Sequence, residues 1–282
     1  MVAEAKRGSP YGGRGGVLLR ALAAQGRSTF TTADARAAGR AAGVADSYLG
    51  VLLHRLERTG LVQRVKHGTY ALATGLPGHP EAHPFALGMA LVQPSAISGW
   101  AALNHHGLTE QIPRVITLTT PKRIVTPAMR GAARTEPSAW EAAGQKFEIV
   151  TVVPDHFFGD EAIWMGDSNV RMFDRERALL ECFAHPRRFG GLAEGLAILE
   201  DHLHQLDLQR LAAHAQRYGT AAVARRVGYA VEHVGGAAEI VESLRAVPMR
   251  GSRPLDPTRA LEGRLDRRWG VIDNTAAPRK LL

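Results

Sequence analysis

Cysteine is almost missing: Cys182 is the only one in 282 residues. A lone thiol excludes an intrachain disulfide framework and a cysteine-built zinc cluster, and it points to a reducing compartment. No apolar run reaches the ~18 residues of a membrane span. The N-terminus starts basic but lacks an apolar h-region, so no signal peptide is expected. These absences together predict a cytoplasmic protein. Internal repeats are lacking too. So is a phosphate loop, because Gly190-Gly191 is not followed by Lys and Ser or Thr.

Acidic side chains are scarce at one end only. Residues 1–76 hold eleven Lys or Arg against four acids, Glu4, Asp34, Asp46 and Glu57, a balance of +7. The other 206 residues carry 24 basic and 23 acidic groups, which leaves +1 of the total +8. A basic head on a neutral body is the asymmetry of a protein that turns one end toward a polyanion. A merely solvated basic terminus would be low in complexity. This segment is periodic and apolar instead. Apolar residues make up 45 % of the chain, enough for real cores, and its length suits about two domains.

Residues 1–15, rich in Gly and Arg, read as a flexible basic tail. From Gly16, the stripe Val17, Leu18, Leu22 and Ala23 predicts a helix ending near Gly26. Thr31-Thr32-Ala33-Asp34 has capping-box spacing before a second helix, about Thr32 to Ala42, which Gly43 stops. Asp46 stands as N-cap to a third helix, Ser47 to Thr59, with Gly60 just past its end. On a wheel of about 100° per residue, Leu49, Leu52, Leu53 and Leu56 form a core stripe. Ser47, Val51, His54 and Arg58 fall opposite, flanked by Gly50 and Arg55. Small residues near the start of such a face let a helix backbone approach base edges. Leu61 to Val65 then alternates as a strand, Lys66-His67-Gly68 turns, and Thr69 to Leu72 returns.

Three helices and a basic hairpin in this order predict a winged helix-turn-helix over residues 16–74 with double-stranded DNA as partner. Ser47, Val51 and His54 are expected at base edges, with Tyr48 and Gly50 at the margin. Arg55, Arg58, Arg64, Lys66 and His67 are expected at phosphates.

Residues 75–84 contain Gly75, Pro77, Gly78, Pro80 and Pro84 and read as a linker. Beyond it, helices are expected over about Phe85–Val92 and Ser95–His106. Strands are expected over Val115–Thr120 and Phe147–Val153, and a hairpin over Ile163–Met172. From Asp174 to about Val247 the pattern is mainly helical, and a Pro- and Arg-rich tail, Pro248 to Leu282, closes the chain. Strands followed by a helical run make the second domain, residues 85–282, α+β. The whole chain is α+β on this reading.

Metal and catalytic patterns are weak. His202 and His204, or His105 and His106, do not share a helix face, and no HExxH helix exists. Asp155, Asp160, Glu161 and Asp167 share one loop-rich stretch but lack the Gly-Ser turn before an Asp-x-Asp pair that a nucleotidyltransferase needs. Cys182 falls in an apolar helix and reads as a core residue, as do Trp100 and Trp269. The expectation is a non-enzyme with no metal and no cofactor.

The second domain also carries motifs. Ile97-Ser98-Gly99-Trp100-Ala101-Ala102-Leu103, followed by His106-Gly107-Leu108-Thr109-Glu110-Gln111, resembles the most recognisable stretch of the AbiEi family, antitoxins of type IV toxin–antitoxin systems. Asp174 to Cys182 with Pro186 and Gly190-Gly191-Leu192, Arg225 to Glu232, and Asp266 to Gly270 with Asn274 resemble three further motifs. The similarity runs over about residues 16–276. Val227 stands where the family often has Leu, and Glu181 where it often has Asp. The resemblance implies a winged helix that represses its own operon at inverted repeats. It also implies a C-terminal antitoxin domain that counters a nucleotidyltransferase-like toxin, without requiring a stable complex. Two rival readings are a stand-alone regulator with a ligand-sensing second domain and an enzyme acting through Asp155, Asp160 or Glu161.

Overall fold

The computed structural model describes residues 13–26, 28–73, 82–126, 139–166, 168–248 and 251–275. The expected tail as far as residue 12, most of the expected linker (75–81), Asp167 and residues 276–282 lie outside the described residues.

The front of the chain is built as the hydrophobic periodicity requires. Helix α1 (Gly13–Ala23) starts three residues before the expected Gly16. Helix α2 (Thr32–Ala41) opens on a complete capping box: Thr31 Oγ1 accepts from the Asp34 N–H, and the Asp34 carboxylate accepts from the Thr31 N–H. Gly43, at φ +71°, takes the left-handed turn that ends it. Helix α3 spans Asp46–Arg58. Leu18, Leu22, Phe30, Leu49, Leu53 and Leu56 meet in one buried cluster. Strands β2 (Val62–Lys66) and β3 (Thr69–Leu72) form the expected hairpin.

Two local expectations change. The N-cap of α3 is Ala45, and Asp46 is its first helical residue. The Asp46 carboxylate is drawn aside by Arg40, whose Nε and terminal nitrogen donate at 3.2 and 2.6 Å, so it does not fold back on the helix amides. Thr29–Thr31 is also a strand, β1, which pairs antiparallel with β3. Phe30 stacks on Tyr70 there, ring centroids 5.6 Å apart.

Further along come α4 (Pro84–Leu91), β4 (Ala96–Ser98), α5 (Gly99–His105), β5 (Val115–Thr120), β6 (Ala139–Ala142), β7 (Gln145–Thr151), β8 (Asp160–Met165) and β9 (Ser168–Phe173). Strands β6-β7-β5-β4-β9-β8 line up in that order in one sheet, with β4 and β9 parallel. Then follow α6 (Arg175–Ala184), α7 (Leu192–Asp201), α8 (Leu208–Tyr218), α9 (Ala221–His233) and α10 (Ala238–Arg245). The fold is mixed α+β, with a winged helix first and a helical run late, as expected. The expected helix Ser95–His106 is instead strand β4 followed by α5. Its break is Gly99, at φ +59°, whose N–H donates to the buried Glu181 carboxylate at 2.8 Å.

By density of contact the chain divides into two units. One comprises Met1–Ala96, Lys122–Val150 and Ala162–Arg171, the other Ile97–Pro121, Thr151–Glu161 and Met172–Leu282. In the first, α4 packs against the three-stranded sheet β1-β3-β2. In the second, α6 is the central helix, buried continuously from Glu176 to Phe183. The described part of the expected Pro- and Arg-rich tail, residues 251–275, is folded there. Strands β10 (Arg253–Pro254), β12 (Val271–Asp273) and β11 (Arg264–Asp266) form a small sheet in that spatial order. Trp269 beside it is fully buried, with Nε1 donating to Glu232.

Candidate nucleic-acid interface

Helix α3 presents two unlike faces. Leu49, Leu52, Leu53 and Leu56 are buried, while Ser47, Gly50, Val51, His54, Arg55 and Arg58 are exposed. Val51 is 61 % exposed, which leaves an isolated branched methyl pair in solvent on a polar face. Such a group suits contact with a thymine methyl. Nothing lies within 4 Å of a Cβ built on Gly50, so the backbone is open to close approach there. Tyr48 is half-buried against the core, and the Arg14 guanidinium lies 5.9 Å from its ring centroid. Arg14 therefore stands beside α3, although its neighbours in sequence suggested a tail.

At the start of α3 charge is concentrated. Asp46 binds Arg40 and lies 3.7 Å from Arg36. The Arg40 hydrogen bond holds the Asp46 carboxyl below its ordinary range. A carboxylate there also favours the positive end of the helix dipole. Sequence reasoning missed this clamp because both arginines lie on α2.

The wing is irregular in a useful way. Arg64 faces Tyr70 and Lys66 faces Thr69, so Val65 is an extra residue in β2. This bulge buries both Val62 and Val65, which strict alternation would place on opposite faces. Arg64 stays exposed, and its terminal nitrogen lies 2.9 Å from His67 Nδ1 across the turn. Lys66 differs from the rest of the expected set. It is half-buried, and its amine donates to the Leu91 carbonyl at 2.9 Å. Of the ten expected contact residues, eight are exposed on α3 or the wing, and Tyr48 and Lys66 are half-buried.

The second unit holds a buried charged network that sequence patterns did not show. Asp174 caps α6 by accepting the Arg177 N–H at 2.7 Å, and it also binds Arg210 and His214. Burial pushes its carboxyl up, but the His214 and Arg177 hydrogen bonds and the Arg210 charge outweigh that and hold it below the usual range. Asp155 sits exposed on the turn Pro154–His156, while Asp160 and Glu161 open β8. Among the described residues, no group of three or more His, Cys, Asp or Glu is placed to hold a metal. Cys182 is fully buried, and burial pushes its thiol well up. Among the described residues, no helix is long and apolar enough to cross a membrane.

Residues 17–73 match the family model described as transcriptional regulator, AbiEi antitoxin. That match covers the helices and wing just described. No curated protein matches the chain in sequence. Among solved structures, the RV2827C protein from Mycobacterium tuberculosis is similar at a TM-score of 0.64 and 16 % identity, over 93 % of this chain and 91 % of that one. At that identity the likeness concerns the fold.

Proposed function

We propose that the protein, whose front domain is an AbiEi-type antitoxin regulator domain, represses its own operon by binding inverted repeats and counters a nucleotidyltransferase-like toxin. The observation that carries the DNA reading is the outer face of α3. Serine, glycine, valine and histidine are exposed along it, arginines follow at its C-terminal end, and the leucines opposite are fully used by the core. Ser47, Val51 and His54 read base edges in this proposal, while Arg55, Arg58, Arg64 and His67 meet phosphates. Arg14 joins them from α1. Two such helices on paired half-sites would match the symmetry of an inverted repeat. The second domain takes the antitoxin role, and no catalysis is assigned to it.

The test is a gel shift of the full chain on the repeat upstream of its own gene. Arg64→Ala and Arg58→Ala should weaken binding on specific and random duplexes alike, each lowering the salt slope by about one unit. His54→Ala should relax sequence preference, at about 1–3 kcal/mol of discrimination. Unchanged affinity in both arginine variants would remove the wing and helix from the interface. For the antitoxin half, the full chain carrying His54→Ala and Arg58→Ala is co-expressed with the neighbouring gene. Survival should persist while repression is lost.

A further inference from the structure

A cavity of about 430 Å³ opens within the first unit, lined by strands β1 and β2, the end of α4 and the segment after Lys122. No residue of α3 lines it. Neither Arg64 nor His67 of the wing lines it, so it shares no residue with the face assigned to DNA. Two cationic side chains reach it, Lys66 from the wing strand and Lys122 from beyond the sheet. Lys66 donates to the Leu91 carbonyl at 2.9 Å, and Lys122 to the Gln93 carbonyl at 3.3 Å. These carbonyls at the end of α4 hold both ammonium groups in place. An ammonium has three N–H donors, so one carbonyl leaves Lys66 able to bind more. Among the described residues no carboxylate lies within ion-pair distance of Lys66. Asp34 also lines the cavity, and its carboxylate accepts from the Thr31 N–H and hydroxyl, both at 2.8 Å.

Lys66 is placed against its own charge. Burial pushes its ammonium down, and the nearby charge of Lys122 adds to that. An anion beside Lys66 makes up for the hydration its ammonium has lost and is drawn by the charge of both lysines. Thr29 and Thr69 also line the cavity. The volume lies in the ordinary range for a small ligand, about 300–1,000 Å³. We propose that this cavity is a binding site for a small phosphate-bearing molecule, with Lys66 and Lys122 as its cationic grip. It sits between the wing strand and α4, so an occupant touches the sheet that carries the wing.

The probe is pyrophosphate, titrated calorimetrically into the full chain at constant ionic strength set with chloride. Saturable binding at one site is expected. Lys122→Gln and Lys66→Gln should each weaken it by about tenfold or more, the loss of one charge-assisted contact. Lys122 is exposed, so its variant should keep the wild-type circular dichroism spectrum. Heats that never saturate, or an affinity unchanged in Lys122→Gln, would overturn the proposal. A second arm measures duplex binding by Lys122→Gln without pyrophosphate. The wild-type salt slope is expected. A slope lower by about one unit would assign the lysines to the DNA backbone instead and would equally overturn it. The two readings fail separately: loss of duplex binding bears on α3, and loss of pyrophosphate saturation bears on the cavity.

Discussion

Arg177 shows how much one residue can hold in place. Its side chain is 1 % exposed, and its guanidinium lies 4.3 Å from the Phe173 ring centroid, 5.0 Å from Phe158 and 5.7 Å from Tyr218. One terminal nitrogen donates to the His156 carbonyl at 3.1 Å, and the other lies 4.0 Å from the Glu181 carboxylate. That carboxylate in turn receives the Gly99 N–H where β4 gives way to α5. Arg177→Ala should therefore lower stability by about 3–5 kcal/mol in urea unfolding, because it leaves Glu181 buried without its cation. Arg177→Met should cost less, since it keeps contact with the three rings. The motif from Asp174 to Cys182 contains this residue but gave no sign of its burial. An arginine in a helical segment ordinarily reads as surface, and only the facing rings and carboxylate explain its burial. Gly228 is similar: a Cβ there would lie 2.2 Å from the buried Trp269 ring. Gly228→Ala should reach at least the upper end of the ~1–3 kcal/mol typical of overpacking, read as a drop in Tm.

At the scale of elements, legibility follows the range of the interactions involved. Helix α3 could be read because Leu49, Leu52, Leu53 and Leu56 repeat at helical spacing within thirteen residues. The cap of α2 could be read because Thr31 and Asp34 are three apart. Thr31→Ala should cost about 1 kcal/mol, measurable as a lower urea midpoint with unchanged slope. Strand β1 could not be read, because three residues carry no period and its partner Ala71 lies 42 positions beyond Thr29. The bulge at Val65 was hidden for the same reason, since it exists only relative to β3. The terminal sheet was hidden by composition. Its strands are two or three residues long, among prolines and arginines, and what orders them is distant: Asn274 accepts the Asp256 N–H at 2.8 Å and donates to its carbonyl. The outer face of α3 was legible as a list of residues. The withdrawal of Lys66 toward α4 was not, because it depends on where the end of α4 arrives.

Across the whole molecule, both units are sensitive to acid through neutral histidines. In the first, His83 Nδ1 accepts the Phe85 N–H at 3.2 Å and so caps α4, and burial lowers its pKa below the ordinary 6.5. In the second, burial lowers His185, with Glu181 opposing and Arg188, Arg177 and His156 reinforcing. Its Nε2 lies 3.1 Å from the Tyr218 hydroxyl. As pH falls through about 6.5 the unfolded chain takes up protons that these folded histidines refuse, so stability must decline with pH from there downward. A further loss begins below the ordinary 3.8 of Asp174, whose folded carboxyl titrates lower still. At the alkaline end, burial and then its bond to Asp273 push Tyr229 up to about 12. Its folded pKa lies above its unfolded one, so its contribution is complete below 10 and fades as pH rises toward 12. Calorimetric Tm should thus hold level near neutrality and fall on both sides. The two ends are separable by variant. His83→Gln and His185→Gln should each flatten the limb below 6.5 while leaving the alkaline limb alone. Tyr229→Phe should remove the late tyrosinate step from an ultraviolet titration of the five tyrosines. An acid limb unchanged in both histidine variants would mean that these two rings titrate alike in the folded and unfolded protein, against the burial found for each.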